Sequence, residues 1–124
     1  MFAVDISNYT GRLTAEQVAG LKTAGVELVI VRASLETRRD QRAIAQQQLQ
    51  ALIDGGMLIQ AYVWCYWEDD SLELVRATCG LLEPFREEYD GDILWLDCED
   101  RVPAGVDAAG WLRRAVAIVR DEGY

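Results

Sequence analysis

The 124-residue chain contains no histidine, which removes imidazole acid–base catalysis and His-ligated zinc in one step. It has no CxxC pair. Its three cysteines, Cys65, Cys79 and Cys98, are an odd number set inside apolar periodic segments, where buried free thiols are expected ahead of a disulfide or a metal site. Base is scarce as well, with 12 Lys and Arg against 21 Asp and Glu for a net charge of −9. Phosphate neutralisation needs the opposite surplus, which argues against a nucleic-acid partner. No apolar run reaches the roughly 18 residues of a membrane span, and no basic, apolar, small-residue opening marks a signal peptide. Work outside the cytoplasm therefore requires a route other than a Sec-type signal, or an excised piece of a longer chain. Neither GxGxxG nor GxxxxGK[ST] follows any apolar run, which takes away the main support for nucleotide binding.

What remains is the balance of one soluble globular domain, 51% hydrophobic and 27% charged. Four apolar runs, "FAVDIS" (2–7), "ELVIVRAS" (27–34), "LIQAYVWCYW" (58–67) and "DILWLDCE" (92–99), read as strands buried on both faces. Amphipathic stretches lie between them. Thr14 with Gln17 predicts a capping box, Leu13 and Val18 a hydrophobic staple, and Gly25 a stop. A second helix is expected over 40–54 with Ala45, Leu49, Leu52 and Ile53 inward, and with the Gln46-Gln47-Gln48 run as a solvated face. A third opens at Asp70 or Ser71 and runs to about 88, with Leu72, Val75, Cys79 and Leu82 on one stripe. The fourth starts near Asp107, turns Trp111, Leu112, Ala115, Val116 and Val119 inward, and ends at Gly123. Four successive βα units require parallel strands with right-handed crossovers, either a doubly wound sheet or a (β/α) barrel.

Sites in both architectures lie at the carboxyl ends of the strands. There the fourth run ends in acids. Alternation puts Asp97 and Glu99 on one side with Ile93 and Trp95, and Cys98 on the other. Asp5 holds the matching place on the first strand, with Ser7 beyond it, so three carboxylates are expected in one cleft. Close carboxylates shift one another's pKa, which suits the paired acids of glycoside hydrolysis and equally a hard-cation site of oxygen ligands. Asp100 reads as a loop residue or helix cap. Tyr62, Trp64 and Tyr66 alternate along the third strand and Tyr9 follows the first; such aromatics serve either sugar stacking or core packing. Arg32 serves either to orient a carboxylate or in a structural ion pair.

The segments "VDISNYTG" (4–11), "VELVIVRAS" (26–34), "GGMLIQAYVW" (55–64) and "ILWLDCED" (93–100) resemble, in order and spacing, the amino-terminal half of glycoside hydrolase family 25, the Chalaropsis-type lysozymes. The resemblance implies an α/β fold, a parallel (β/α) TIM-barrel-like domain of which this chain carries the first four βα units. It implies an N-acetylmuramidase cleaving the β-1,4 bond between N-acetylmuramic acid and N-acetylglucosamine in peptidoglycan. Glu99 would be the general acid, Asp97 would stabilise the anomeric centre or place the 2-acetamido group, and Asp5 would support both. Tyr62 matches a sugar-subsite aromatic, with Trp64, Tyr9 and Arg32 beside it as substrate-binding candidates. No cofactor and no metal are implied. The expected partner is the glycan strand, with no nucleic acid and no membrane, and the expected place of action is the cell wall, reached by secretion or phage release. The absent signal peptide slightly favours a phage endolysin or virion enzyme.

Val63 stands where the family usually has His, and "LETRRDQRA" lacks the aromatic and Gly features common after the second strand. A (β/α) barrel of this kind needs about 200 residues or more. Residues 1–124 are therefore expected to be one catalytic domain truncated at its carboxyl end, completed by a missing half or by a second chain. The alternatives are a catalytically silent sugar-binding or phage structural module of the same fold, and a metal-dependent hydrolase using Asp5, Asp97 and Glu99 as ligands.

Overall fold

A computed structural model describes residues 1–34, 39–68 and 70–124, and for Arg39 and Asp40 the backbone alone. The elements alternate as expected: β1 Ala3–Ile6, α1 Ala15–Thr23, β2 Leu28–Arg32, α2 Arg39–Asp54, β3 Leu58–Trp64, α3 Ser71–Leu82, β4 Tyr89–Asp97 and α4 Ala108–Asp121, with 3-10 turns at Asn8–Thr10 and Glu83–Phe85. All neighbouring strands pair in parallel and in chain order, β1-β2-β3-β4. A doubly wound sheet reverses its order at a switch point. This one does not reverse, so its winding is that of a barrel wall. Among the described residues no helix is long and apolar enough to cross a membrane.

The core lies on the helix-covered face. Val29, Val31, Ile59 and Ala61 alternate toward it and meet Val18, Leu49, Leu52, Leu81 and Leu82, while Val63, Cys65, Val75, Trp111, Ala115 and Val119 form a second cluster under α3 and α4. The other face keeps Ala3, Asp5, Leu58, Ile93 and Trp95 exposed. A parallel sheet is ordinarily covered on both sides. Among the described residues helices cover one face only.

Local signals act as read at α1. Thr14 Oγ1 accepts from the Gln17 N–H (3.2 Å), Gln17 Oε1 accepts from the Thr14 N–H (2.8 Å), and Gly25 takes φ +82° beyond the helix end. The glutamine run is different from expectation. Gln48 is fully buried and its Nε2 donates to the carbonyls of Ser7 (2.9 Å) and Gly11 (2.7 Å), while Gln47 brackets Leu13, accepting from its N–H (2.9 Å) and donating to its carbonyl (2.7 Å). Two side chains of α2 thus clamp the loop that leaves β1. Val116, expected inward, is 37% exposed. β3 ends at Trp64 and α3 at Leu82, both earlier than their patterns predict, and β4 begins earlier, at Tyr89.

That early start matters. Ile59 pairs with Tyr89 and Ala61 with Leu94, so five steps along β4 match two along β3. The excess is three, an odd number, and an odd excess reverses the alternation of everything beyond it. Tyr89 points into the core; without the irregularity Ile93, Trp95 and Asp97 would do the same. The Tyr89 phenol fills the gap in the ladder, accepting from the Ala61 N–H (2.5 Å) and donating to the Ile93 carbonyl (2.7 Å). Gly91 supplies a φ of +70° there, and the buried Gln60 donates to the Asp90 carbonyl (2.9 Å) while accepting from the Trp95 indole (2.7 Å).

Gln48→Leu leaves two loop carbonyls unpaired and is expected to lower unfolding free energy by about 1–3 kcal/mol in denaturant melts, whereas the exposed Gln50→Ala shifts it by no more than about 0.5 kcal/mol. Tyr89→Phe strips both bulge hydrogen bonds at once. Its expected loss is also about 1–3 kcal/mol, and an unchanged midpoint would mean that the bulge holds without the phenol.

Candidate active site

The strand ends bring the sequence-predicted acids together. Asp5, Tyr62, Asp97 and Glu99 line one open depression of about 310 Å³, with Ile30 and Trp95. Asp5 faces it because Val4 and Ile6 turn to the helix side of β1, and the ladder sets Asp5 beside Ile30. Arg32 lies beside Tyr62, Tyr62 beside Trp95, and Trp64 beside Asp97. Glu99 stands two residues past Asp97, just beyond the end of β4.

Charge and burial set the proton affinities. Burial raises the Asp97 carboxyl above the usual carboxylate range, and the neighbouring Glu99 raises it further, against the opposing pull of the Arg32 guanidinium; Asp5 and Asp100 add smaller upward pushes. Tyr62 is buried, and that burial raises its phenol against the lowering effect of Arg32, with Asp5, Asp97 and Glu99 also pushing it up. At neutral pH Tyr62 is therefore an O–H donor, and Asp97 holds its proton to a higher pH than an ordinary carboxyl does.

Arg32 is part of the site's frame. Its Nη2 donates to the Tyr66 hydroxyl (2.8 Å), its guanidinium lies 5.1 Å from the centre of the Trp64 ring, and its Nε is buried without a partner among the described residues. Trp64 is fixed from the other side, donating its indole N–H to Asp100 Oδ2 (2.8 Å). Asp100 is structural as expected, its carbonyl also accepting from the Trp67 indole (2.9 Å). Trp67 takes a left-handed φ of 62° in the turn after β3 and stacks edge-on against Trp111. The backbone cost of that conformation falls next to the site, where strained residues concentrate.

Tyr9 stands apart. It sits in the turn at Asn8–Thr10, 88% exposed, and is not among the residues lining the depression. Trp64 and Arg32 flank the lining rather than form it. Trp95, placed by the sequence only on the acids' side of the strand, also lines the depression. It is 48% exposed with its indole pinned by Gln60, which offers a held aromatic face at the site. The "LETR" part of the departure after the second strand lies outside the described residues. Among the described residues no group of three His, Cys, Asp or Glu is close enough to hold a metal ion, so the carboxylates share a cleft without the spacing of a cation cage.

Two solved structures share this fold. Both are of the modular autolysin LytC from Streptococcus pneumoniae, one of them in complex with a synthetic peptidoglycan ligand, and each aligns with a TM-score of 0.73 at 19% identity over 98% of this chain and 30% of theirs. The chain thus spans under a third of the neighbour's length. No protein-family profile matches the sequence, and no curated protein sequence is significantly similar to it. The likeness supports an α/β fold of the kind found in a cell-wall autolysin.

Asp97 gives a pH test. Because its carboxyl binds a proton more tightly folded than unfolded, ionisation costs stability; that cost is absent below the ordinary carboxylate range, near pH 4, and grows as pH rises through the raised value. Asp97→Asn should melt higher than the parent at pH 7, with the gain vanishing in acid. A lower melting temperature at pH 7 would mean that Arg32 and other donors more than offset the burial.

Proposed function

We propose that the chain is the carboxylate-bearing part of a peptidoglycan hydrolase of the N-acetylmuramidase type, related in plan to glycoside hydrolase family 25. The observation that carries this reading is the convergence of Asp5, Asp97 and Glu99 with Tyr62 in one depression at the strand ends. The autolysin fold and its peptidoglycan-complexed form support it. Glu99 donates a proton to the leaving glycosidic oxygen. Asp97 stabilises the anomeric centre or holds the 2-acetamido group, and Asp5 supports the pair. Tyr62 donates a hydrogen bond to the sugar, while Trp64, Arg32 and the outlying Tyr9 extend the binding side. The bond cut is the β-1,4 link from N-acetylmuramic acid to N-acetylglucosamine, at the cell wall. Residues 1–124 correspond to one part of a longer catalytic chain, since they align with 30% of the autolysin's length.

A non-catalytic reading draws on the openness of the site: Asp5 and Glu99 are solvent-exposed, and water weakens the electrostatics that acid catalysis needs. That reading makes the chain a cell-wall sugar-binding module.

Clearing of purified cell walls by the gene's full product should fall by about 10²–10⁴-fold on Glu99→Gln, and the fragments released by the parent should carry N-acetylmuramic acid at the new reducing end. Lysis that survives Glu99→Gln sinks the assignment of the acid. Muropeptide binding without turnover by the parent selects the binding module.

A further inference from the structure

The helix-facing side of the same two strand ends holds a pair of groups that carboxylate chemistry leaves unused. Cys65 follows the last residue of β3 and Cys98 the last residue of β4. Both are free thiols, and the Sγ of Cys98 lies 3.2 Å from the Sγ of Cys65. Their backbones are already joined: Trp64 pairs with Asp97, and the Cys65 N–H donates to the Asp97 carbonyl (2.8 Å). Neighbouring strands run about 4.8 Å apart, inside the roughly 4.4–6.8 Å between Cα atoms that a disulfide spans. Closing the sulfurs to about 2.05 Å therefore needs a side-chain movement and no backbone rearrangement.

We propose that Cys65 and Cys98 are a thiol–disulfide site, oxidised by a low-molecular-weight disulfide of the glutathione class, whose closure clamps β3 to β4 directly behind Asp97 and Glu99. The order of steps follows from access. Cys98 is exposed and Cys65 fully buried. The Cys98 thiolate attacks the reagent RS–SR, giving Cys98–S–SR and one RSH once the displaced thiolate takes up a proton. Cys65 then attacks the Cys98 sulfur, forming Cys65–S–S–Cys98 and releasing the second RSH. Two protein S–H bonds are lost, two RSH are formed, and two electrons pass from the protein to the reagent. Burial pushes the Cys65 thiol up, and the hydrogen bond with Cys98 adds to it, so the second step is the slow one and quickens with pH. Cys79, buried within α3, stays reduced. Because Cys98 stands between Asp97 and Glu99 in the chain, the bond restrains the segment that carries both carboxylates. The thiol pair closes whichever reaction, if any, those carboxylates perform.

Incubation of the whole chain with oxidised glutathione, followed by intact-mass and non-reducing peptide analysis, tests it. The expected product has lost two hydrogens and contains one linked peptide joining Cys65 to Cys98, with Cys79 alkylated only after unfolding. Cys65→Ser should stop at a glutathione adduct on Cys98, and the closing step in the parent should speed up about tenfold per pH unit. The oxidised parent should melt several degrees above the reduced form, a shift absent from Cys65→Ser and Cys98→Ser. A parent that stops at the glutathione adduct, a link to Cys79, a chain-to-chain disulfide, or a closed bond without a higher melting temperature would each overturn the proposal.

Discussion

The side of the sheet on which Asp97 and Glu99 emerge is decided by the three-residue excess in β4. A strand has two faces and a period of two, so any odd insertion exchanges them. Tyr89, a core residue at the start of the strand, and Asp97, a cleft residue at its end, stand eight positions apart and would share a face in an unbroken strand. They face opposite ways because the bulge intervenes. Its supports come from both sides of the sheet: the Tyr89 phenol from the core side, and the Gln60 amide from the cleft side, reaching Asp90 and Trp95 at once. A buried polar group with two well-placed partners repays its desolvation, and one left without them costs as much as it gave. The acids' orientation is thus tied to packing several residues below them.

The second constraint is one-sidedness. Sequential parallel strands with crossovers of one hand send every helix to the same face, so apolar burial is concentrated there and the opposite face is free to carry charge. Raising Asp97 is the cost of that placement: its carboxyl is partly desolvated beside another acid, and a single guanidinium, Arg32, opposes the effect. Arg32 is held by a hydroxyl and an indole face rather than by a direct ion pair with the acids. Its positive charge therefore moderates both Asp97 and Tyr62 without neutralising either.

Much of this was legible in residue patterns because the relevant physics is local. Runs of Val, Ile and Leu bounded by polar stretches mark strands of a covered sheet, and the Thr14–Gln17 box and Gly25 define α1 within a few residues. The strand read over 92–99 keeps Ile93, Trp95, Asp97 and Glu99 on one side because that run leaves out Tyr89, on the far side of the irregularity. What was not legible depends on distant partners. The glutamine run looks like solvent-facing polarity until the loop after β1 arrives to be bound by Gln47 and Gln48. The bulge at 90–93 offers only Gly91 as a hint. Cys98, expected in the interior, is exposed because β4 ends at Asp97, and Val116 lies partly open at the margin of α4. Tyr9 had its place beside β1 but not its direction, which the turn capped by Ser7 sets outward.

The three carboxylates rest on unequal supports, which bears on how a cleft of this kind works. Asp97 is held by the longest strand, by its carbonyl's bond to Cys65, and by the Tyr89 bulge beneath it. Glu99 lies past the strand, braced through Asp100's contacts with two tryptophans. Asp5 belongs to a four-residue edge strand, paired on one side only, and the loop it leads into depends on side chains from α2. Edge strands and loops open at lower free energy than central ones. Asp5 and Asp97 both lie on edge strands, so the difference between them is one of length and bracing: nine residues and the Tyr89 bulge hold Asp97, four residues and a loop clamped from α2 hold Asp5, and displacement of β1 changes the charge felt by the pair without moving the pair itself.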